Sequence, residues 1–435
     1  MSEQTPLSIG IVALHALPAI RPDVGGAIGG TETRAWLLAR GLAAAGHTVR
    51  FIVRSGGQAF TETIGGVTVV GIRDRWFERY VAVGRSVERT GRGVRIKTWS
   101  WRLIYLLPLV ALHRLLVLRR RDARDPASLF DLAPADVWLT FGVQSTSAGV
   151  IAAAHRAGRP AVLMLGCDAD VDRWFRDEPD RRTPYGDRGD VCAFILDEAD
   201  RIVGQSGDQL RRLEANHGRD GFLLPNPIEL SRWTTPQPLP AARKLPPRFV
   251  LWIGRAEPVH KRPIKAIDII KYAPDVPLVM ILNPADPATK CDVRQRAGQN
   301  VTIISFIEPR TMPAVMQRAT ALLNTSSTEG FPNTFLQAAA CGVPIVTRGV
   351  LEDWLAEHGN GHCITDKAAD SEDAADREAA ALLTEWINNP EAAAAIGDRG
   401  RPVAEQHAVE RIVRHLAGEL RRVVAANSPN RSGPS

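Results

Sequence analysis

Two consecutive open α/β domains, each built on a parallel sheet, are the fold class this sequence predicts. Three observations lead to it. A length of 435 residues is too great for one ordinary core and suits two domains of roughly 200 residues each. Short, near-continuous apolar runs alternate with helical stretches, first over residues 9–224 and again from residue 249. Between the two series, residues 229–248 carry Thr234-Thr235-Pro236-Gln237-Pro238-Leu239-Pro240 and Pro246-Pro247, a linker composition.

The elements follow in order. A first strand over residues 9–14 leads through a glycine-rich loop to a helix over 31–45, then a strand over 48–53. Further strands are expected over 67–72, 137–141, 161–165 and 201–203, and a helix begins after Gln205-Ser206-Gly207-Asp208 and ends near His217-Gly218. The second series reads strand 249–253, helix 264–272, strand 278–282, strand 301–305, helix 312–318 and strand 321–324. Helix 335–341, strand 345–346, helix 374–388 and a largely helical stretch over 404–426 complete it. The domains are therefore expected at 1–235 and 236–405. A C-terminal helix over 406–426 is expected to pack back on the first domain, with a disordered tail over 427–435. Facing α/β domains bind ligands in a cleft at the carboxyl ends of their strands.

The composition, 45% hydrophobic and 23% charged, is that of a globular protein and excludes a disordered chain. Residues 1–6 form a short polar lead without the basic start or cleavage site of a signal peptide. Five cysteines (Cys167, Cys192, Cys291, Cys341, Cys363), widely spread and without a C-x-x-C pair, fit a reducing cytoplasm and not a structural zinc site. The net charge of +6 is unevenly placed: residues 85–124 hold eleven Lys or Arg and two acids, Glu88 and Asp122. The same segment holds Trp99, Trp101, Tyr105 and an apolar run that is too short and too charged to cross a bilayer. It fits either an anionic membrane surface or a buried helix with a solvated basic end. No nucleic-acid recognition motif accompanies the charge.

Four clusters sit at expected strand ends. The first, Gly25 to Gly30 followed by Thr31-Glu32, lacks both the G-x-G-x-x-G fingerprint and the Lys-Ser/Thr of a P-loop. Its backbone, at Gly29 and Gly30, allows close approach of a ligand; the alternative is a plain sharp turn. The second is Gly254-Arg255-Ala256-Glu257-Pro258-Val259-His260-Lys261-Arg262, in which Gly254 permits a turn and Arg255 and Lys261 can neutralise a diphosphate. The third runs from Ser326 to Gln337. There Glu329 precedes Gly330, Phe331, Pro332, Asn333 and Thr334, and a helix starting near Thr334 turns free amides toward an anion. Gln337 lies near the same helix end and can bond a ribose diol, or simply be solvated. An ordinary strand-turn-helix step is the alternative for the whole segment. The fourth is Gly166-Cys167-Asp168-Ala169-Asp170-Val171-Asp172, whose carboxylates share a face if the chain stays extended. Asp168 and Asp170 are the acceptor-side candidates; Asp172 can pair with Arg173 or Arg176. Ser305 and Phe306, where the strand over 301–305 ends, complete the donor-side set. No metal ligands are expected.

With these motifs the chain resembles the large retaining group of nucleotide-sugar glycosyltransferases with two Rossmann-like domains, the GT-B fold, often called family 4. The resemblance covers nearly the whole chain, through domain order, Gly29-Gly30-x-Glu32, Asn226-Pro227 and, most specifically, residues 249–347. It implies that Arg255 and Lys261 bind the donor diphosphate, and that Glu329 of Glu329-Gly330-Phe331-Pro332 lies near the donor sugar. Two departures stand out: Gln337 replaces a second Glu, and Gly166-Cys167-Asp168 replaces a histidine-bearing loop. The implied reaction moves a sugar from an NDP-sugar, most simply a UDP- or GDP-sugar, to a hydroxyl of a glycan, lipid-linked or small-molecule acceptor, with retention and no further cofactor. The cysteines and the basic segment together lead to the expectation of a cytoplasmic location, peripheral on the inner face of the cell membrane. The competing readings are an NDP-sugar 2-epimerase and a non-catalytic NDP-sugar-binding protein; a dehydrogenase is disfavoured by the failed first-loop fingerprint.

Overall fold

The computed structural model describes residues 5–24, 29–90, 93–116, 122–126, 134–239, 245–365 and 371–427. Part of the first glycine loop (25–28) and the C-terminal tail from 428 lie outside them. The chain divides into two units: Met1–Leu223 with Leu416–Ser435, and Leu224–His415. The second thus starts before the proline run and includes residues 224–235, because Trp233 packs in its core and Gln317 Nε2 donates to the Trp233 carbonyl at 2.8 Å.

The first unit contains β1 (Ser8–Val12), β2 (Thr48–Arg54), β3 (Phe60–Ile64), β4 (Val67–Ile72), β5 (Val87–Thr90), β6 (Gly93–Ile96), β7 (Val137–Phe141), β8 (Ala161–Met164), β9 (Arg201–Gly204) and β10 (Phe222–Leu223). Eight of them form one sheet in the order β10-β9-β8-β7-β1-β2-β4-β3. All neighbours are parallel except β3, which pairs antiparallel with β4. Buried Ile52, Trp138, Ile151, Leu163 and Ile195 belong to one core cluster of this unit. β3 was not expected. Its sequence, Phe-Thr-Glu-Thr-Ile, alternates instead of forming an apolar run, as suits an edge strand. It joins β4 through Gly65 and Gly66 at φ 56° and 80°, the two-residue turn that requires positive φ twice.

Helix Arg75–Ser86 leads into the basic segment, whose described residues form the antiparallel β5–β6 pair and helix Arg102–Leu116; its residues 91–92 and 117–121 lie outside the described ones. His113 joins the two helices by stacking on Trp76, with centroids 3.5 Å apart, and by a 3.1 Å contact between its Nδ1 and the Tyr80 hydroxyl. Among the described residues no helix is long and apolar enough to cross a membrane. The part of helix Val409–Asn427 that belongs to this unit carries Glu419, nearly buried, which pairs with Arg201 Nε at 2.6 Å.

The second unit has a six-stranded, wholly parallel sheet of β11 (Val250–Arg255), β12 (Leu278–Asn283), β13 (Val301–Ile304), β14 (Ala321–Asn324), β15 (Ile345–Thr347) and β16 (Gly361–Cys363). Its order is β13-β12-β11-β14-β15-β16. Alternate β11 residues feed opposite cores: Val250 and Trp252 with Ile267 and Trp386, Leu251 with Phe335 and Leu336. The chain order reverses between β11 and β14, and ligands of open α/β sheets bind at such a reversal, beyond the strands' carboxyl ends. The loops after these two strands carry the second and third clusters.

Candidate functional site

β11 ends at Arg255 and its loop returns to helix Pro263–Ile270; β14 ends at Asn324 and its loop returns to helix Asn333–Cys341. Hydrogen bonds fix the two loops to each other. Thr325 is the hub: its hydroxyl donates toward the carbonyls of Lys261 and Arg262, both at 3.0 Å, and accepts from the Trp252 indole at 2.9 Å. Ser327 N donates to the His260 carbonyl at 2.8 Å. Arg262 Nε donates to the Thr325 carbonyl at 2.7 Å, and its Nη2 to the Ser326 and Arg348 carbonyls at 3.3 and 3.0 Å. Arg262 sits at φ 46°, a left-handed conformation unusual for a side-chain-bearing residue, which these bonds stabilise.

Within this frame Lys261 Nζ pairs with Glu329 Oε1, and the Ser326 hydroxyl donates to the same oxygen at 2.6 Å. The Glu329 side chain is 13% exposed and that of Lys261 27%, so the pair is sheltered yet reachable. Arg255 is exposed and makes no side-chain hydrogen bond or ion pair among the described residues. Glu257 folds under the loop and accepts from the amides of Val259, His260 and Lys261 at 2.8, 2.7 and 3.1 Å. Burial opposes its ionisation, but the three amides prevail and lower its pKa below the ordinary 4.5.

The helix after β14 begins at Asn333, with Pro332 as its cap and no side-chain cap hydrogen bond. The cap's own side chain thus takes none of the first amides, and the positive end of the dipole there favours an anion. Helix Pro263–Ile270 likewise lacks a side-chain cap. Gly330 and Pro332 are buried; Phe331, Thr334 and Gln337 are half-buried, Gln337 one turn along the helix from Asn333. Ser305 and the 53%-exposed Phe306 follow β13, at the same carboxyl edge but two strand positions from β11, a distance of about 10 Å. Gly254 has a different reason from the turn expected of it: a Cβ there would lie 2.5 Å from the Trp252 ring, so the glycine makes room for that indole.

Two residues that hold this loop escaped the sequence reading of the site. Asn226, in the conspicuous Asn-Pro pair, donates from Nδ2 to the Phe331 carbonyl at 3.0 Å and to Asn333 Oδ1 at 3.1 Å. His407 contacts the Asn226 carbonyl through Nδ1 at 2.9 Å and stacks on Phe331 with centroids 5.6 Å apart. A carbonyl only accepts, so Nδ1 carries the proton. No local pattern marks His407, which is 181 positions from Asn226. Burial lowers its pKa from 6.5, against the Asn226 carbonyl and together with His358. Below about pH 6.5 the unfolded chain binds a proton that the folded chain resists, so this contribution to stability falls as pH falls. His407→Phe should keep the stack, weaken donor binding by loosening the loop, and remove that part of the acid sensitivity. Calorimetric titration and urea unfolding at pH 7 and pH 5 measure both.

In the first unit the order reverses between β1 and β7. Gly29 caps helix Gly30–Ala44, and a Cβ on it would lie 2.2 Å from the Glu32 carboxylate, so a side chain there would displace Glu32. The acidic loop after β8 is a tight 3-10 turn, Asp168–Val171, and not extended chain, so its carboxylates diverge. Asp168 Oδ1 accepts from Gln209 Nε2 at 3.0 Å, and Asp170 Oδ2 from the amides of Gly166 and Cys167 at 2.6 and 3.3 Å. Asp172 pairs with Arg212 at 2.9 Å, not with its neighbours Arg173 and Arg176. Burial pushes the Asp170 carboxyl upward against the pull of the Gly166, Val143 and Cys167 amides. Burial of the sulfur and the adjacent Asp170 charge push the Cys167 thiol up to about 12; although the residue as a whole is exposed, the carboxylate beside it supports that direction. It is no ready nucleophile. Among the described residues no group of three or more His, Cys, Asp or Glu is placed to hold a metal ion.

Residues 239–403 match the family described as glycosyl transferases group 1. Over 254 residues the chain is 27% identical to the D-inositol 3-phosphate glycosyltransferases of Mycobacterium bovis (strain BCG / Pasteur 1173P2) and Mycobacterium tuberculosis (strain ATCC 25618 / H37Rv), covering 54% of this chain and 50% of those proteins. The chain thus spans about half the length of the curated relatives it matches. Similar solved structures include sucrose-phosphate synthase from Thermosynechococcus elongatus, with a TM-score of 0.63 at 17% identity, covering 97% of this chain and 100% of that one. The catalytic domain of starch synthase IV from Arabidopsis thaliana, bound to ADP and acarbose, gives 0.62 at 11% identity, covering 97% and 100%. At such identities the likeness is one of fold. The protein has the GT-B fold, with two Rossmann-like parallel-sheet domains, and is related through its second domain to the glycosyl transferases of group 1.

Proposed function

We propose that the protein is a retaining glycosyltransferase that moves a sugar from an NDP-sugar to an acceptor hydroxyl. The observation that carries the reading is the Lys261–Glu329 pair held at the β11/β14 reversal, beside the uncapped start of helix Asn333–Cys341. In this reading Arg255, Lys261 and the helix amides hold the diphosphate, Glu329 turns to a sugar hydroxyl, and Gln337 accepts from or donates to the ribose. Exposed Phe306, with Ser305, offers a face for the base, which is that of a UDP- or GDP-sugar. The curated relatives named as D-inositol 3-phosphate glycosyltransferases support a hydroxyl acceptor.

The bond from the anomeric carbon to the diphosphate oxygen breaks while that carbon bonds the acceptor oxygen on the same face. The departing diphosphate takes the acceptor proton, so no protein nucleophile is needed. Lys261 and Arg255 stabilise the charge that grows on the leaving group, the largest catalytic contribution expected of such a site. The first domain supplies the acceptor side, where Asp168 and Asp170 shape the loop after β8 and Gly29 and Gly30 let a ligand approach the helix start. No cofactor beyond the donor is required, and the acceptor is a glycan, a lipid-linked sugar or a small molecule. A cytoplasmic location belongs to the reading and is supported by five cysteines, none in a disulfide.

A panel of UDP-, GDP- and ADP-sugars tests it. One donor should bind, and nucleoside diphosphate should appear only with an acceptor, the product keeping the donor's anomeric configuration by NMR. Release of an epimerised nucleotide sugar without acceptor, or binding without turnover toward any hydroxyl acceptor, would replace the reading.

A further inference from the structure

Helix Arg102–Leu116 has two apolar faces, and among the described residues one is buried and the other exposed. Leu103, Leu106 and Val110 are buried, with His113 stacked on Trp76 along the same side. Ile104, Tyr105, Pro108, Leu112 and Leu115 are exposed, Ile104 at 57% and Leu112 at 52%. At 3.6 residues per turn these five fall within about 100° of arc, opposite the buried set, and form a stripe about 17 Å long. Trp101, 77% exposed, extends the stripe at the helix start beside exposed Trp99. An ordinary surface does not leave so many large apolar groups in one line.

The charge around the stripe indicates its occupant. Residues 93–116 contain Arg95, Lys97, Arg102 and Arg114 and not one Asp or Glu. All four cations are exposed. A protein partner able to cover an apolar stripe needs no such excess of one sign. An anionic bilayer offers both an apolar layer for the stripe and a negative layer for the cations, and tryptophan favours the boundary between the two. The helix contains Pro108 and is too short to span a bilayer, so it would lie flat.

We infer that helix Arg102–Leu116 is a membrane-surface docking element, its Ile104–Leu112–Leu115 stripe seated among acyl chains and its cations against anionic headgroups. The inference stands apart from the transfer reaction, since docking is read without turnover. The test is flotation of the full chain with vesicles of phosphatidylcholine, with and without about a third phosphatidylglycerol, and with brominated lipid to quench tryptophan. Binding should need phosphatidylglycerol and be accompanied by quenching. Ile104→Ser with Leu112→Ser should weaken it about tenfold or more, and Arg95→Gln with Lys97→Gln and Arg102→Gln should abolish the preference for anionic lipid. All these positions are exposed, so unchanged circular dichroism and melting temperature should accompany the loss. Absence of binding to anionic vesicles, or binding untouched by both sets of changes, would overturn the inference. So would a dimer at micromolar concentration that Ile104→Ser with Leu112→Ser splits, because the stripe would then belong to a second copy.

Discussion

Lys261→Ala is expected to lower transfer about 100-fold or more while the protein folds and melts as before. Two effects combine. The change removes a cation from the proposed diphosphate site, and it deprives Glu329, which now shares its Oε1 between Lys261 and the Ser326 hydroxyl, of its cation beside that site. A free carboxylate repels the donor's own negative charge. The two residues should therefore be coupled: in a Glu329→Gln background the same Lys261→Ala change should cost clearly less. Glu329→Ala alone should also cripple transfer, because the sugar loses its hydrogen-bond partner. Steady-state rates for the wild type, both single variants and the double variant give the coupling. Strict additivity would mean that the pair seen in the structure does not operate in the reaction.

Asp376→Ala is expected to have the largest effect on stability, about 3–5 kcal/mol in chemical unfolding. Asp376 is 4% exposed and lies between two cations: Arg348 Nε at 3.0 Å and Lys265 Nζ at 2.9 Å. Arg348 is itself buried, with its Nη1 donating to the Ile364 carbonyl at 2.7 Å. Removing the carboxylate takes away a counter-charge that a buried guanidinium shares with Lys265, which costs more than the pair contributes in place. Because the Arg348 carbonyl accepts from Arg262, the loss should also reach the β11 loop and weaken donor binding. Asp376→Asn, which keeps the shape and one acceptor, should fall between the wild type and Asp376→Ala. Equal stability of all three would remove this network from the account.

The fold was legible where physics acts locally. Buried parallel strands must be apolar on both faces, so β7, β12 and β14 stand out as largely apolar runs. β3 did not, since an edge strand half in water alternates, and β16 is only three residues long. The loops after β11 and β14 were legible as a candidate site because glycine, cation and carboxylate fall directly after such strands. Their support was not. Thr325, Arg262, Asn226 and His407 act through contacts between positions up to 181 apart, which no local pattern encodes. The acidic loop was misjudged for a related reason: spacing of two gives a common face only in extended chain, and residues 168–171 turn instead. In the basic segment, composition revealed an excess of charge and apolar residues but could not divide one helix into a buried and an exposed face.

The most direct test is a crystal structure of the protein soaked with UDP and with GDP. The account predicts a diphosphate oxygen within hydrogen-bond distance of Lys261 Nζ, with Arg255 and the first amides of helix Asn333–Cys341 around the same group. A diphosphate bound away from the β11 and β14 loops, as at the Gly29–Gly30 helix start, would contradict it.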